Sequence, residues 1–506
     1  MIIFIGLWII LQIVAVLVRP LLPVDETRYV SVAWEMWTRN DFLVPFLNGI
    51  PYSEKPPLLF WLIQLGWWLF GVNEWWPRFI SPFFALANLV LILRLARILW
   101  PAQPTLPFLA GIILFSSSLW VLSSTAVMFD LLLSFFTVLT LFAMVQVWRT
   151  ESHQAWLLVG LAIGLGILAK GPIILLYVLP TGLFAPWWQV TKPLTRSREW
   201  WYRGIVLSTI LGIGIALLWL IPALLQGGES YTEMILWKQN VDRMVNSFIH
   251  QHPFWWYISL LPLVCFPWLL WLPLWRSFRS LKSLPIHSGV RLCLLWLGIP
   301  FIILSLISGK QAHYLVPLLP AVALLSAHSL LAQPSRQHSS QWLVASVVIM
   351  VGIFLIYVPF FDESFKNPPV WLRHLTPLGG FILIFIGSVT GLWRFKTQQD
   401  AFYGLGLMNL AVITSIHLTI LPTLAETYDM HNIAQLIATQ QRQGKSFIHI
   451  EKYHGQYQFI GRLKHPLPVI YRESAVKWAR KHPEGWAISY HDCLPNLPEV
   501  SYITPY

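Results

Sequence analysis

Stretches of about twenty mainly apolar residues recur along most of this chain, and that recurrence constrains the fold more than any single motif does. A backbone in hydrocarbon has no water to bond, so its N–H and C=O groups must be paired within a helix or around a closed barrel. The runs are too long and too uniformly apolar for the short alternating strands of a barrel. Helices remain. Composition agrees, with 56% of residues hydrophobic, 11% charged and a mean hydropathy of +0.61, far from soluble globular usage. The expected fold class is an all-α polytopic membrane protein.

Basic residues gather in alternate connections: Arg94 and Arg97; Arg149; Lys192, Arg196, Arg198 and Arg203; Arg276, Arg279 and Lys282; Arg336; Arg394 and Lys396. Assigned to the cytoplasmic side, these loops follow the positive-inside rule, and the net charge of +12 reflects topology rather than a nucleic-acid partner. Tracing the alternation predicts helices near 2–18, 79–99, 107–125, 131–148, 155–170, 172–188, 205–224, 254–275, 289–308, 314–332, 342–361, 376–395 and 401–422, about thirteen spans with the N-terminus inside. The first run has no basic leader and no small-residue cleavage site, so it reads as a retained helix, with a cleaved signal as the alternative.

This trace places the segment 19–78, the 225–253 loop, the 361–375 loop and the tail from 423 on the outer face, the periplasm of a bacterium. The expected domains are therefore a transmembrane domain over 1–422, containing the first outer loop 19–78, and a C-terminal periplasmic domain over 423–506. Within the first loop, Pro57 to Phe70 is apolar but short for a span, and reads as a helix lying along the membrane surface. The tail returns to mixed polarity, with alternation in Ser446–Ile450 and a helix-like stretch Glu473–Lys481, as in a small α/β domain.

Cys265 and Cys293 lie in apolar spans and Cys493 stands alone, so no disulfide framework or thiolate metal site is indicated. The chain carries 29 Trp, many of them paired near span ends: Trp67-Trp68, Trp75-Trp76, Trp187-Trp188, Trp200-Trp201 and Trp255-Trp256. Most are expected to form an aromatic belt at the headgroup level. Gly160, Gly164 and Gly166 inside one span are expected to permit close helix packing, not to form a nucleotide loop.

Against this apolar background the loop 19–78 is dense in charge, gathering Asp25, Glu26, Arg28, Glu35, Arg39, Asp41, Glu54, Lys55, Glu74 and Arg78. Ionisable groups at a membrane boundary are costly unless used or paired. Asp25 and Glu26 could simply complement the dipole of a helix starting there, a role that suits Glu26. Asp25 and Arg28, three apart, also form a carboxylate and guanidinium pair on one helical face, able to handle a proton and a phosphate. The run Asn48-Gly49-Ile50-Pro51-Tyr52-Ser53-Glu54-Lys55-Pro56-Pro57 is a turn followed by opposite charges held at the lip of an apolar helix. That suits an anionic lipid headgroup, the bland alternative being a snorkelling Lys55. Asp130, Lys170, Asn240-Val241-Asp242-Arg243, His250-Gln251-His252 and Lys310-Gln311-Ala312-His313-Tyr314 fall at the same level, where each alone could be a span-end marker.

The run from Asp25-Glu26-Thr27-Arg28-Tyr29 through Asn48-Gly49, Glu54-Lys55-Pro56-Pro57 and Phe70-Gly71-Val72-Asn73-Glu74-Trp75 resembles the first periplasmic loop of the lipid A aminoarabinose transferase family, GT-C glycosyltransferases related to protein O-mannosyltransferases. Lys170-Gly171-Pro172 and His252-Pro253-Phe254-Trp255 are similar too. The resemblance implies sugar transfer from undecaprenyl phosphate to an acceptor at the periplasmic face of the inner membrane, lipid A first and a protein second. It implies Asp25 as catalytic carboxylate, Asp130 as a second acid, and Arg28 and Lys55 as ligands of the lipid phosphate. Lys170, Arg243 and Lys310 are candidates for a second clamp. No cofactor is required, although zinc-bearing members of the family would place ligands at Glu54 and His252. A secondary transporter should instead bury its charges at mid-membrane and show related halves, neither of which is seen. A noncatalytic lipid-linked-glycan transporter would not need Asp25 at the lip.

Overall fold

The computed structural model describes residues 2–192, 194–235, 251–280, 287–332, 341–360 and 370–490; Asn240–Arg243, His250, Lys282, Arg336 and Cys493 lie outside the described residues. The chain is predominantly helical. It opens with α1 (Ile2–Val18), then α2 (Asp25–Arg39), a hairpin of β1 (Phe46–Leu47) and β2 (Ile50–Pro51), α3 (Leu58–Phe70), α4 (Trp75–Leu99), α5 (Leu106–Phe115), α6 (Ser118–Ser124), α7 (Asp130–Thr150), α8 (His153–Lys170) and α9 (Ile173–Leu183). Asn48 and Gly49 both take positive φ, 55° and 81°, the geometry of a tight hairpin turn that Asn-Gly adopts readily.

Eight helices among the described residues are long and apolar enough to cross a membrane: α4, α7, α8, Arg198–Glu229, Ser288–Leu306, Ala312–Leu331, Trp342–Phe360 and Gln398–Thr419. The expected spans at 2–18, 172–188 and 376–395 appear as the shorter apolar helices α1, α9 and Leu378–Leu392.

Two expected spans are broken. The stretch 107–125 bends by 67° between α5 and α6. The hydroxyls of Ser116 and Ser117 donate back to the carbonyls of Ile112 and Ile113 at 2.6 and 2.7 Å, and such bonds compete with the helical ladder. The freed carbonyl of Ser116 accepts from Asn409 Nδ2 at 2.6 Å. The stretch 254–275 divides into Trp256–Val264, a 3-10 turn Trp268–Leu270 and Leu272–Ser280, because Pro267 and Pro273 cannot supply ladder N–H groups.

Helix packing uses small residues as expected: a Cβ on Gly164 would meet the carbonyl of Gly212 at 3.0 Å, so α8 and the helix Arg198–Glu229 approach backbone to backbone. The aromatic belt needs correction. In three of the expected pairs one ring is in the core, namely Trp67, Trp188 and Trp201, whereas Trp68 and Trp187 face outward. The indole N–H groups of the three buried rings donate to the carbonyls of Asn73, Thr181 and Gly182, which satisfies the polar atom buried with each ring.

In the tail, β3 (Phe447–Ile450) runs parallel to both β4 (Val469–Ile470) and β5 (Trp486–Ile488), beside helices His431–Arg442 and Arg472–Lys481. This segment is bound to the first loop. Asn48 donates to the carbonyl of Leu467 at 2.8 Å and accepts from its N–H at 2.7 Å. Ser31 Oγ donates to the carbonyl of Gly455 at 2.6 Å. Trp34 Nε1 donates to that of Leu463 at 2.9 Å.

A titratable bridge joins the same parts. His431 contacts Glu74 at 3.1 Å and Asp429 at 2.5 Å. The bond to Glu74, helped by Asp429 and opposed by burial, raises the imidazole pKa to about 9. A raised folded-state value means the bridge stabilises fully below the unfolded value of about 6.5 and is lost as pH rises through about 9. Melting temperature in detergent should therefore fall between pH 7 and 9.5, and His431→Gln should flatten that slope. An unchanged slope in the variant would remove His431 as its origin.

Candidate active site

Pro23 and Val24 end the link from α1, and α2 begins at Asp25, so the acid and Arg28 emerge from one face of the first helical turn. Arg28 pairs with Asp25 Oδ1, and the Tyr29 hydroxyl donates to the same oxygen at 3.2 Å. The two partners differ in exposure: the Arg28 side chain is 17% accessible and that of Asp25 48%. A held guanidinium thus presents a carboxylate whose open side can meet a substrate.

Glu54 completes the surround, 4.0 Å from Arg28 and 3.5 Å from the Tyr52 hydroxyl. Burial above all raises the phenol pKa values of Tyr29 and Tyr52, so both stay protonated and act as hydrogen-bond donors rather than bases.

Asp130 lies at the first turn of α7, buried, with Lys170 Nζ at 2.5 Å from the C-terminal end of α8. Lys170 also sits 5.1 Å over the ring of Tyr314, whose carbonyl accepts from Tyr177 at 2.8 Å. Phe129, the neighbour of Asp130, packs edge-on against Tyr29 at 4.9 Å and Phe60 at 5.7 Å. Lys55 and His313 both lie within electrostatic reach of Asp130, and His313 also feels Asp25. Asp25, Arg28, Glu54, Lys55, Asp130 and Lys170 therefore share one neighbourhood, with His313 as a member that loop position alone did not single out. Its neighbour Lys310 marked the segment, but nothing in the pattern distinguished the imidazole.

Lys310 stands apart in its bonding. It is buried and donates to the carbonyls of His252, at 2.9 Å, and Ile307, which pins the His252 segment. Arg243 lies outside the described residues.

The zinc expectation does not fit these residues. Among the described residues no three His, Cys, Asp or Glu side chains converge as metal ligands. The His252 ring stacks on Trp256 at 4.2 Å, and Glu54 faces Arg28 and Tyr52.

Glu26, read as a dipole partner, is corrected to an internal anchor. Its carboxylate is buried, pairs with Arg19, and accepts from the N–H groups of Leu22 at 2.9 Å and Val127 at 2.7 Å. Burial alone would raise its pKa, but Arg19 and these donors hold it below the usual range.

Comparison with known proteins gives a consistent picture. Residues 54–225 match the family described as dolichyl-phosphate-mannose-protein mannosyltransferase. An undecaprenyl phosphate-alpha-4-amino-4-deoxy-L-arabinose arabinosyl transferase from Pseudomonas paraeruginosa is 30% identical over 388 residues, 74% of this chain and 68% of that protein. One of the same name from Pectobacterium carotovorum is 31% identical over 310 residues, 60% of this chain and 54% of that one. The chain thus spans between about half and two thirds of the length of these relatives. The crystal structure of ArnT from Cupriavidus metallidurans bound to undecaprenyl phosphate superimposes with a TM-score of 0.75, covering 96% of this chain and 89% of that one at 18% identity. An Archaeoglobus fulgidus oligosaccharyltransferase superimposes at 0.52. These likenesses establish the fold.

Proposed function

This chain belongs to the undecaprenyl phosphate-alpha-4-amino-4-deoxy-L-arabinose arabinosyl transferase family, and on that premise we propose that it is an integral-membrane glycosyltransferase moving a sugar from undecaprenyl phosphate to lipid A. The observation that carries the reading is the half-exposed Asp25 carboxylate held by a mostly buried Arg28 at the mouth of the first loop.

In the proposed reaction the bond between the sugar's anomeric carbon and the donor phosphate oxygen breaks as the acceptor oxygen bonds to the opposite face of that carbon, inverting it. Charge accumulates on the departing polyprenyl phosphate. Fixed cations stabilise such charge most where it develops, which is the role of Arg28 and Lys55. Asp25 orients the acceptor oxygen and takes its proton where it has one to give. Since the leaving group is already good, the paired acid and nucleophile of retaining hydrolases are not needed. Asp130, neutralised by Lys170, sets the field around Lys55 and His313, and Lys170 and Lys310 shape the acceptor side. The reading needs no metal.

The same proposal takes the chain as a bacterial inner-membrane protein of about thirteen spans over 1–422, with the active mouth and the 423–506 segment in the periplasm. A reporter inserted at Thr195 should register cytoplasm and one at Gly444 periplasm; a cytoplasmic signal at Gly444 would invert the proposed orientation.

Function is tested by mass spectrometry of lipid A and of periplasmic proteins from cells with and without the gene. Loss of one sugar mass from lipid A is expected. A loss confined to proteins would transfer the reading to a protein glycosyltransferase, and no change in either pool would remove both acceptors.

A further inference from the structure

Between α2 and the tail lies a cleft of about 460 Å³, lined by Glu35, Trp37, Thr38 and Arg39 on one wall and Gln458 and Lys464 on the other. It falls within the range of small-molecule sites, and no step of the proposed reaction uses it. Its walls are fixed. The two bonds between Asn48 and Leu467 and the bond from Trp34 to the carbonyl of Leu463 hold the tail wall against the first loop. A Cβ on Gly49 would meet Pro466 at 3.0 Å, so the hairpin turn and the tail are in close contact beside the cleft.

The lining has unspent chemistry. Glu35 is 4% exposed, and its Oε1 accepts from Arg39 and from the N–H of Gly49 at 3.0 and 2.8 Å. Its Oε2 is buried without a hydrogen-bond partner among the described residues. A buried carboxylate oxygen left unbonded is costly, and a ligand hydroxyl or amide N–H would satisfy it. Arg39 balances the charge of Glu35, which leaves Lys464, exposed at the rim, as net positive charge. Trp37 contributes a partly exposed indole. An acceptor for hydroxyls, a cation for an anionic substituent and an aromatic ring together describe recognition of a charged sugar.

Position narrows the role. Glu35 is ten residues along α2 from Asp25, roughly 15 Å at about 1.5 Å per residue. That is comparable to the length of a short oligosaccharide. We propose that the cleft is a subsite for a phosphorylated saccharide, gripping the acceptor's sugar backbone while its reacting end reaches Asp25. In calling the ligand the acceptor, this inference rests on the transferase reading above.

The test uses the full chain in detergent with two probes, lipid A and the lipid-free phosphorylated glucosamine disaccharide. Two variants alter the cleft without touching the site at Asp25: Lys464→Glu reverses the rim charge, and Thr38→Trp fills the space. Each should raise KM for lipid A about tenfold or more, the equivalent of one lost charge-assisted hydrogen bond, with kcat and the donor KM unchanged. Each should weaken disaccharide binding by a similar factor, and the dephosphorylated disaccharide should bind the parent less tightly and be indifferent to Lys464→Glu. Parental transfer to lipid A with unchanged KM in both variants would overturn the subsite and leave the transferase reading intact. Disaccharide binding that both variants weaken, in a parent that does not glycosylate lipid A, would uphold the subsite and remove lipid A as the acceptor. A parent that binds no disaccharide overturns the subsite outright.

Discussion

Asp25→Asn should insert and fold as the parent does, bind undecaprenyl phosphate, and lose transfer by a factor of about a hundred to ten thousand. The substitution keeps the shape of the side chain and its place in the first turn of α2. It keeps an acceptor oxygen for Tyr29 but removes the charge opposite Arg28. Asp25 is the first residue of α2 and makes no capping bond, so if it served only the helix dipole the variant would lose about 0.3–1 kcal/mol of stability and keep its transfer. Lys55→Ala provides the contrast, because loss of a phosphate ligand should weaken donor binding as well as turnover. Binding of the polyprenyl phosphate, measured separately from turnover on the same preparations, distinguishes the two. Near-parental transfer by a well-folded Asp25→Asn protein would end the proposed role of the carboxylate while leaving the fold and the donor class standing.

The start of this site was legible because its information is local. Asp25 and Arg28 are three residues apart, the spacing that brings side chains together on a helix, and they do pair. The Asn-Gly turn and the helix after Pro57 were likewise written in adjacent residues. What the chain does at longer range left no such trace. Lys170 meets Asp130 across forty positions, and each taken alone reads as the end of a span. Asn48 bonds Leu467 across 419 positions, a pairing that no periodicity encodes. The broken helix at Ser116–Ser118 was hidden for a related reason. Three serines in an apolar run barely change hydropathy, while the back-bonding hydroxyls of Ser116 and Ser117 and the partner Asn409 decide the geometry. For Lys310 the sequence showed a charge at a span end, and only the fold shows that its ammonium is buried and bonded to the carbonyls of His252 and Ile307.

Glu26→Ala should be the most destabilising change in the first loop, about 3–5 kcal/mol, since removing one partner of a buried ion pair leaves the other charge uncompensated. Arg19 and Glu26 are 4% and 6% exposed at the side chain. Without the carboxylate, Arg19 keeps, among the described residues, the carbonyl of Thr125, and the N–H groups of Leu22 and Val127 lose the Glu26 acceptor. If Glu26 merely complemented the dipole of α2, the loss would be about 0.3–1 kcal/mol. That difference makes the melting temperature in detergent decisive. The pH dependence follows from the depressed carboxyl pKa: the pair stabilises above the unfolded value of about 4.5 and is lost only as pH falls through the lower folded one. The double variant Arg19→Met, Glu26→Leu separates charge from shape, because apolar side chains of similar volume often replace a buried pair at little cost. It should recover most of the lost stability. A Glu26→Ala protein that melts within a degree of the parent would show that α2 is anchored by its apolar packing, and that the ion pair contributes nothing measurable to holding Asp25 in place.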